Sequence, residues 1–149
     1  MARERERAEE RLEECERVCR ESGVKVTPQR MEIFRELLRS EEHPDAEAVH
    51  RAVRERLPTI SLDTVYRTLW LLSDLGLIRT MGHARERTRF DANLDRHHHF
   101  VCVRCGLTRD FHSDALDGLS LPREVRAFGR VEETHVEVRG VCGSCAAEK

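Results

Sequence analysis

The sequence has 149 residues, of which 36% are charged and 5% aromatic, and this composition is typical of one or two small globular domains with modest hydrophobic cores. The 26 Lys and Arg residues are balanced by 28 Asp and Glu residues, which excludes a strongly basic protein; any nucleic-acid binding must come from a local patch. No apolar run reaches membrane-spanning length, and the first residues alternate Arg with Glu, unlike a signal peptide, so we expect a cytoplasmic protein with no membrane partner.

Residues 3–21 predict an N-terminal helix. Arg and Glu recur at helical spacing, and a thin apolar stripe follows one side of the helix. Cys15 and Cys19 lie one turn apart on that stripe. Because the local sequence supplies no further metal ligands beside them, we interpret both as core residues rather than as a redox or metal site.

Three further helices and a hairpin follow. Thr27 before Pro28 predicts the N-terminus of the second helix. The third is predicted over residues 46–57, where Pro58 ends it, and the fourth over 62–75. Two short runs, residues 77–81 and 87–90, then predict the strands of a wing. The order helix, helix, helix and hairpin after the N-terminal helix is that of a winged helix-turn-helix domain.

The fourth predicted helix is the candidate DNA-recognition helix. Its apolar positions face inward, while Thr64, Tyr66 and Arg67 face outward and can reach base edges and phosphates in the major groove. An exposed Tyr and Arg also occur on merely solvated helices. The wing loop, residues 82–87, is the predicted hinge.

Residues 91–149 have a different pattern, with short strands around a helix. Strands are predicted over residues 100–103, 107–111 and 134–141, and a helix over 115–128 that is interrupted near Pro122. A small α/β unit with open strand edges is suited to pairing with a second copy of itself. The predicted fold class is therefore α+β, with a winged helix-turn-helix domain at residues 1–90 and a small α/β dimerization domain at residues 91–149.

Two Cys-x-x-Cys pairs lie in this second domain. Each pair offers two thiolates from one side of a tetrahedron, so together they provide a closed structural zinc site. Gly106 after the first pair and Gly143 within the second are expected to give the backbone the freedom that such turns require. Disulfides are not expected in a chain without an export signal. The predicted zinc ligands are Cys102, Cys105, Cys142 and Cys145.

A second cluster combines imidazoles with carboxylates. In an extended segment His97 and His99 share a face while His98 points away. Asp91 and Asp110 each lie at the end of an alternating run. Imidazole and carboxylate without thiolate suit iron(II), manganese or zinc rather than copper(I). A His-rich turn alone is more often a solvated loop. The prediction of a metal site here therefore depends on the position of these residues beside the four cysteines.

Several segments together resemble the ferric-uptake-regulator family. They are VKVTPQR at residues 24–30, the His43-Pro44 turn, SLDTVYR at 61–67, HHHFVCVRCG at 97–106 and GVCGSC at 140–145. The resemblance covers nearly the whole chain from about Gly23. It implies a homodimeric, metal-dependent transcriptional repressor rather than an enzyme, with a double-stranded and palindromic DNA operator and with zinc on the four cysteines. Thr27, Gln29 and Arg30, within the first of these segments, are added to the predicted DNA contacts.

The resemblance also implies a regulatory iron(II) or manganese site. A metal bound by residues from both domains would lock the hinge and set the separation of the two recognition helices. The implied ligands are His43, Asp91, His97, His99 and Asp110.

Two Asp rather than Glu ligands, together with TPQR at residues 27–30 and Asp110-Phe111-His112, resemble the peroxide-sensing branch of the family. In this branch bound iron(II) reacts with hydrogen peroxide and an adjacent ligand histidine is oxidised, here His43 or His97. The metal is then lost and the repressed genes are expressed. Manganese in the same site represses without reacting.

This chain departs from some family members, because Arg96 and Thr134 stand where a further metal site has histidines. The remaining imidazoles are interpreted as surface residues or as supports of the ligands. They are His50, His83, His98, His112 and His135.

Three other functions compete with the peroxide-responsive repressor. A sensor of iron, manganese or zinc availability could use the same scaffold. A zinc hydrolase or deaminase requires an open zinc position and a general-acid/base Glu, whereas no Glu follows these histidines and no Pro precedes either cysteine pair. A zinc-stabilised interaction module would leave Tyr66 and Arg67 without a function.

Overall fold

The computed structural model describes residues 1–81 and 88–148, and the chain divides into two compact units, Met1–Leu94 and Asp95–Lys149. A winged-helix unit precedes a small α/β unit, which confirms the predicted α+β class. The division falls after Leu94 rather than after residue 90, because the second wing strand ends at Asp91 and the next residues bond back to the first unit. Asp91 therefore belongs to the first unit.

Local capping fixes the helices of the first unit. The side chains of Thr27, Asp45 and Ser61 accept hydrogen bonds from backbone N–H groups at the starts of the second, third and fourth helices. The third helix ends earlier than predicted, because residues 55 and 56 form a turn and Leu57 directly precedes Pro58, where the helical conformation is disfavoured. The helices are α1 (Ala2–Glu21), α2 (Pro28–Arg39), α3 (Ala46–Arg54) and α4 (Leu62–Asp74).

The hydrophobic core of this unit lies between these helices and the wing. Cys15 and Cys19 are fully buried in it, which confirms that they are core residues. Burial, reinforced by the neighbouring Cys19, raises the pKa of the Cys15 thiol to about 12, so this thiol stays protonated and unreactive at neutral pH. The largest buried side chains are those of Phe34, Phe90, Ile33, Leu69, Leu72 and Leu77.

The wing consists of β1 (Arg79–Met81) and β2 (Arg89–Asp91), paired antiparallel with Arg79 opposite Asp91. Its base is joined to the helical body, because the Phe90 N–H donates to the Pro44 carbonyl at 3.0 Å. The predicted hinge at residues 82–87, which includes His83, lies outside the described residues.

The second unit is built on a three-stranded sheet in the order β4-β3-β5, with β3 antiparallel to β4 and parallel to β5. The predicted helix over residues 115–128 is two short helices, because Gly118 and Pro122 interrupt it. The third predicted strand is shorter than expected and spans β5 alone. The elements are β3 (His98–Cys102), β4 (Thr108–Phe111), α5 (Asp114–Asp117), α6 (Arg123–Phe128), β5 (Glu137–Gly140) and α7 (Gly143–Ala147).

Few apolar side chains are buried in the second unit. Among its described residues, 95–148, only Cys102 and Cys142 appear among the buried hydrophobic side chains, whereas Phe128 is 84% exposed. Such a unit needs stabilisation other than its own hydrophobic core, for which a bound metal or a second copy is suited. No helix within residues 1–81 and 88–148 has both the length and the apolar character that crossing a membrane requires.

Candidate metal centres and DNA-facing surface

The sheet brings the four predicted zinc ligands together. Cys102 ends β3, and Cys142 follows β5. Because β3 and β5 are parallel, these two strand ends lie at the same edge of the sheet, with Cys102 opposite Gly140. Cys105 lies in the turn after β3, and Cys145 lies in α7. The four Sγ atoms are all within 4.8 Å of one another.

The spacing of the sulfur atoms fits zinc. The Cys105 and Cys142 Sγ atoms are 3.7 Å apart, close to the roughly 3.8 Å separation of two thiolates bound tetrahedrally at about 2.3 Å from zinc. None of the six cysteines is in a disulfide. Four thiolates also close the coordination shell, which leaves no position for a reacting water and opposes the hydrolase hypothesis.

The protonation of the thiols indicates the same chemistry. Backbone N–H groups, chiefly that of Cys105 and then that of Cys142, lower the pKa of the Cys102 thiol to about 6. A hydrogen bond with Cys142 raises the pKa of the Cys145 thiol to about 12. Four such close thiolates do not coexist without a cation at neutral pH, so metal binding must displace protons from this cluster.

Of the two glycines expected to give the cysteine turns their freedom, only Gly106 uses it. Gly106 has φ +76°, and its N–H donates to the Cys102 carbonyl at 2.9 Å. Gly143 is instead the first residue of α7, and its φ is not positive. The expectation for Gly143 is therefore wrong, because the second pair turns through a helix start rather than through a left-handed residue.

Gly106→Ala is expected to destabilise the zinc-loaded protein by about 1–2 kcal/mol, since a Cβ atom strains the left-handed conformation. Gly143→Ala is the matched control, because a Cβ atom there meets no atom within 4 Å, and it should stay within about 0.5 kcal/mol. Denaturant unfolding of the two variants measures the difference. Equal stability would contradict the assignment of Gly106 as the strained turn residue.

In the first unit, two of the predicted regulatory ligands face each other. His43 Nδ1 lies 3.4 Å from Asp91 Oδ1, and both side chains are buried. The Asn93 N–H donates to the same carboxylate oxygen at 2.8 Å, which fixes the rotamer of Asp91. One imidazole and one carboxylate are therefore held ready in this unit.

In the second unit, the other three predicted regulatory ligands converge. His97 and His99 lie on one face, their ring centroids 4.7 Å apart. Their Nε2 atoms are 3.7 Å and 3.2 Å from the carboxylate oxygens of Asp110, which pairs with His99 across β3 and β4. His97 Nδ1 bonds the Asp95 carbonyl, so it carries the proton and leaves the Nε2 lone pair for a metal.

His98 points to the opposite face and has a structural function. It is 1% exposed; its Nδ1 accepts from the Val136 N–H at 3.0 Å, and its Nε2 donates to Asp117 Oδ1 at 2.8 Å. Arg96 Nη2 donates to the backbone carbonyl of the same Asp117 at 2.8 Å. This network joins β3 to α5 and to the segment before β5 without a metal.

Two other spare imidazoles bond backbone carbonyls. His50 Nε2 is 3.0 Å from the Ile60 carbonyl, and His112 Nδ1 is 3.0 Å from the Arg96 carbonyl. The ring of His135 lies 6.3 Å from that of His99. These positions agree with the interpretation of surface or supporting residues.

The exposed side of α4 carries two of the predicted DNA contacts. Tyr66 and Arg67 are exposed, and Arg67 forms a 2.9 Å ion pair with Asp63. Thr64 is partly exposed, and its hydroxyl lies 2.9 Å from that of the capping Ser61.

The predicted contacts at the start of α2 divide in the same way. Gln29 is exposed. Thr27 is partly buried and caps the helix through the Arg30 N–H, whereas the Arg30 side chain donates to the Lys25 carbonyl. Thr27 and Arg30 therefore have structural functions in addition to any contact with DNA.

Two residues that make notable contacts in the structure, Trp70 and Arg11, were not singled out from the sequence. Trp70, the single tryptophan, is 45% exposed and stacks edge-on against Phe90 with ring centroids 5.7 Å apart. Its position one turn after Tyr66 could have indicated its exposure. Arg11 reaches backbone carbonyls far along the chain, and nothing distinguishes it from the other arginines of residues 3–21.

Comparison with known proteins gives a consistent result. A model of the Ferric uptake regulator family matches residues 21–138. The peroxide-responsive repressor PerR of Staphylococcus epidermidis is 36% identical over 149 residues, which covers 99% of each chain.

Solved structures agree with this match. A zinc-bound manganese uptake regulator is 32% identical, with a TM-score of 0.68 over 85% of this chain and 97% of that one. The peroxide stress regulator of Campylobacter jejuni is 28% identical, with a TM-score of 0.66 over 79% of this chain and 89% of that one.

Proposed function

Because this chain belongs to the ferric uptake regulator family, we propose that it is a homodimeric, metal-dependent repressor that senses hydrogen peroxide through oxidation of a ligand histidine. The proposal also includes a structural zinc on the four cysteines, a regulatory iron(II) or manganese ion, and a double-stranded DNA operator.

The observation that carries the proposal is the division of the predicted regulatory ligands into two preformed sets. His43 and Asp91 face each other in the first unit. The second unit holds His97, His99 and Asp110 in the same way. A metal that takes ligands from both units selects one arrangement of the recognition helix relative to the dimerization unit. Metal occupancy then sets DNA affinity through that selection.

The donor set fits iron(II) or manganese. Three imidazoles and two carboxylates without a thiolate suit hard or borderline divalent cations. When bound, iron(II) would supply the electron that cleaves the O–O bond of hydrogen peroxide and would regain it as the histidine is oxidised, so that overall one oxygen atom enters the imidazole ring and the other leaves as water. The protein holds the imidazoles in place for oxidation, through the Asp91 carboxylate at His43 and through the Asp95 carbonyl at His97. An oxidised histidine no longer offers its original donor, so the two units lose their link and the operator is released.

The exposed face of α4 is the proposed DNA-contacting surface. Tyr66 and Arg67 are available there to base edges and phosphates, and Gln29 on α2 is exposed as well. On binding DNA, the Arg67 guanidinium would break its ion pair with Asp63 and form one with a phosphate group. We therefore expect the affinity for DNA to fall as the salt concentration rises.

Pairing of two second units is the proposed dimer contact. The unit exposes large apolar side chains that a second copy can cover, and both β4 and β5 are edges of the described sheet. These exposed side chains include Phe128, Val131, Val138 and Val141. Two-fold pairing places two recognition helices on the half-sites of a palindromic operator.

A stoichiometric pulse of hydrogen peroxide tests the sensing function. The iron(II)-loaded protein is expected to gain one oxygen atom, mapped to His43 or His97 by peptide mass spectrometry, and to lose DNA binding. The manganese-loaded protein is the control, and it should show neither change. Zinc content measured in both samples distinguishes loss of the regulatory metal from loss of the structural one.

The alternative function is a repressor that senses metal availability. The similarity to a manganese uptake regulator favours it, since the same scaffold serves both kinds of sensor. It predicts that the iron(II)-loaded protein keeps its mass and its DNA binding after the peroxide pulse, while removal of the regulatory metal alone releases the DNA.

A further inference from the structure

Arg11 on α1 holds two carbonyl groups that are distant in sequence. Its Nη1 donates to the Ala92 carbonyl at 2.6 Å, and its Nη2 donates to the Leu77 carbonyl at 2.9 Å. Its Nε lies 3.3 Å from the Glu14 carboxylate, and the guanidinium is 5.5 Å from the centre of the Phe34 ring. The side chain is 23% exposed, so these bonds are largely shielded from water.

The two carbonyls lie at the base of the wing. Leu77 precedes β1, and Ala92 directly follows β2. The donors of a guanidinium have a fixed, planar arrangement, so one side chain that bonds both carbonyls sets the distance between the two strand ends. Because Arg11 belongs to α1, it also fixes that base relative to the helical body.

Asp91 lies within this clamped segment. It directly precedes Ala92, the residue whose carbonyl accepts a hydrogen bond from Arg11. The Asn93 N–H orients the Asp91 carboxylate, and the Arg79 side chain donates to the Leu94 carbonyl at 3.3 Å. Each of residues 92–94 thus makes a hydrogen bond within the first unit, and Arg11 supplies one of these bonds from α1.

We propose that Arg11 is a positioning residue for the regulatory metal, through which α1 sets the place of the Asp91 carboxylate opposite His43. The inference rests on the proposed function, since it assigns a task within that regulatory site. Without the guanidinium, the end of β2 can shift against α1, and the Asp91 carboxylate moves with it. Metal affinity then falls although every ligand is still present.

Manganese titration of the zinc-loaded protein, followed by electron paramagnetic resonance, tests this. Arg11→Met is expected to weaken manganese binding by about tenfold or more, as the loss of residues that orient metal ligands does. Arg11→Lys should fall between Arg11→Met and the unaltered protein, because an ammonium group can bond one carbonyl but lacks the planar fork. Arg17→Met is the matched control on α1, since Arg17 is exposed and pairs with Glu21 on the same helix, and it should change the affinity less than twofold.

Thermal unfolding of the same samples separates positioning from stability. Manganese affinity is compared at a temperature where both variants are folded. If Arg11→Met lowers the melting temperature but binds manganese as tightly as Arg17→Met does, Arg11 is only structural and the inference is wrong. If Arg11→Met does not fold, Arg11→Lys decides by the same comparison. If the unaltered protein binds zinc but no manganese, the proposed function fails and this inference fails with it.

Discussion

Cys142→Ser is expected to lose the zinc ion and the ordered structure of the second unit. The serine hydroxyl does not replace a thiolate as a zinc ligand at neutral pH, and structural zinc sites contribute on the order of 10 kcal/mol to folding. Among the described residues 95–148, the buried apolar side chains are those of two predicted zinc ligands, so little other core remains. Zinc content per chain and amide hydrogen exchange of the second unit measure the two effects.

Cys15→Ala is the matched control for this change, because it also removes one buried thiol but in the core of the first unit. It should lower the stability of that unit while keeping one zinc per chain. If Cys142→Ser retains the full zinc content, the four-cysteine site is wrong.

His43→Ala is expected to abolish metal-dependent DNA binding while leaving the structural zinc and the dimer unchanged. The substitution removes one proposed ligand of the first unit and leaves the Asp91 carboxylate without the imidazole that lies 3.4 Å from it. Loss of a direct ligand should weaken the regulatory metal by more than the roughly 10–100-fold that loss of a supporting residue causes. Fluorescence anisotropy with labelled operator DNA, at a series of manganese concentrations, measures this loss.

The control is His50→Ala, an imidazole in the same unit that contacts the Ile60 carbonyl and is not among the proposed ligands. Its manganese dependence should match that of the unaltered protein. Retained metal-responsive DNA binding in His43→Ala would remove His43 from the regulatory site and would leave the two units without the proposed link.

The parts of this molecule that local chemistry determines were predictable from the sequence. Thr27 caps the second helix at the predicted position, because capping depends on residues only three apart. His97 and His99 share a face because side chains alternate along an extended segment. The two Cys-x-x-Cys pairs meet as expected, because two such pairs in one small domain have the spacing of a four-thiolate zinc site, although the strand pairing that joins them is not local.

The features that depend on distant parts of the chain were not predictable in the same way. Arg11 bonds a carbonyl 81 residues away, and no periodicity identifies it among its neighbours. His98 was interpreted as a surface or supporting residue, and its bonds to Asp117 and Val136 depend on how α5 and β5 pack against β3. The start of α7 at Gly143 likewise depends on the path of the chain after β5. The spacing of the cysteines does not specify that path.

Strand β3 carries donors for both proposed metals, which implies an order of assembly. His99 at one end belongs to the regulatory set and Cys102 at the other end to the zinc set, about 10 Å along the same strand. Zinc on the four cysteines would support the end of this strand, so we expect the imidazoles to be arranged for the second ion only after zinc has bound. A chain without zinc is then expected to respond to neither iron(II) nor manganese.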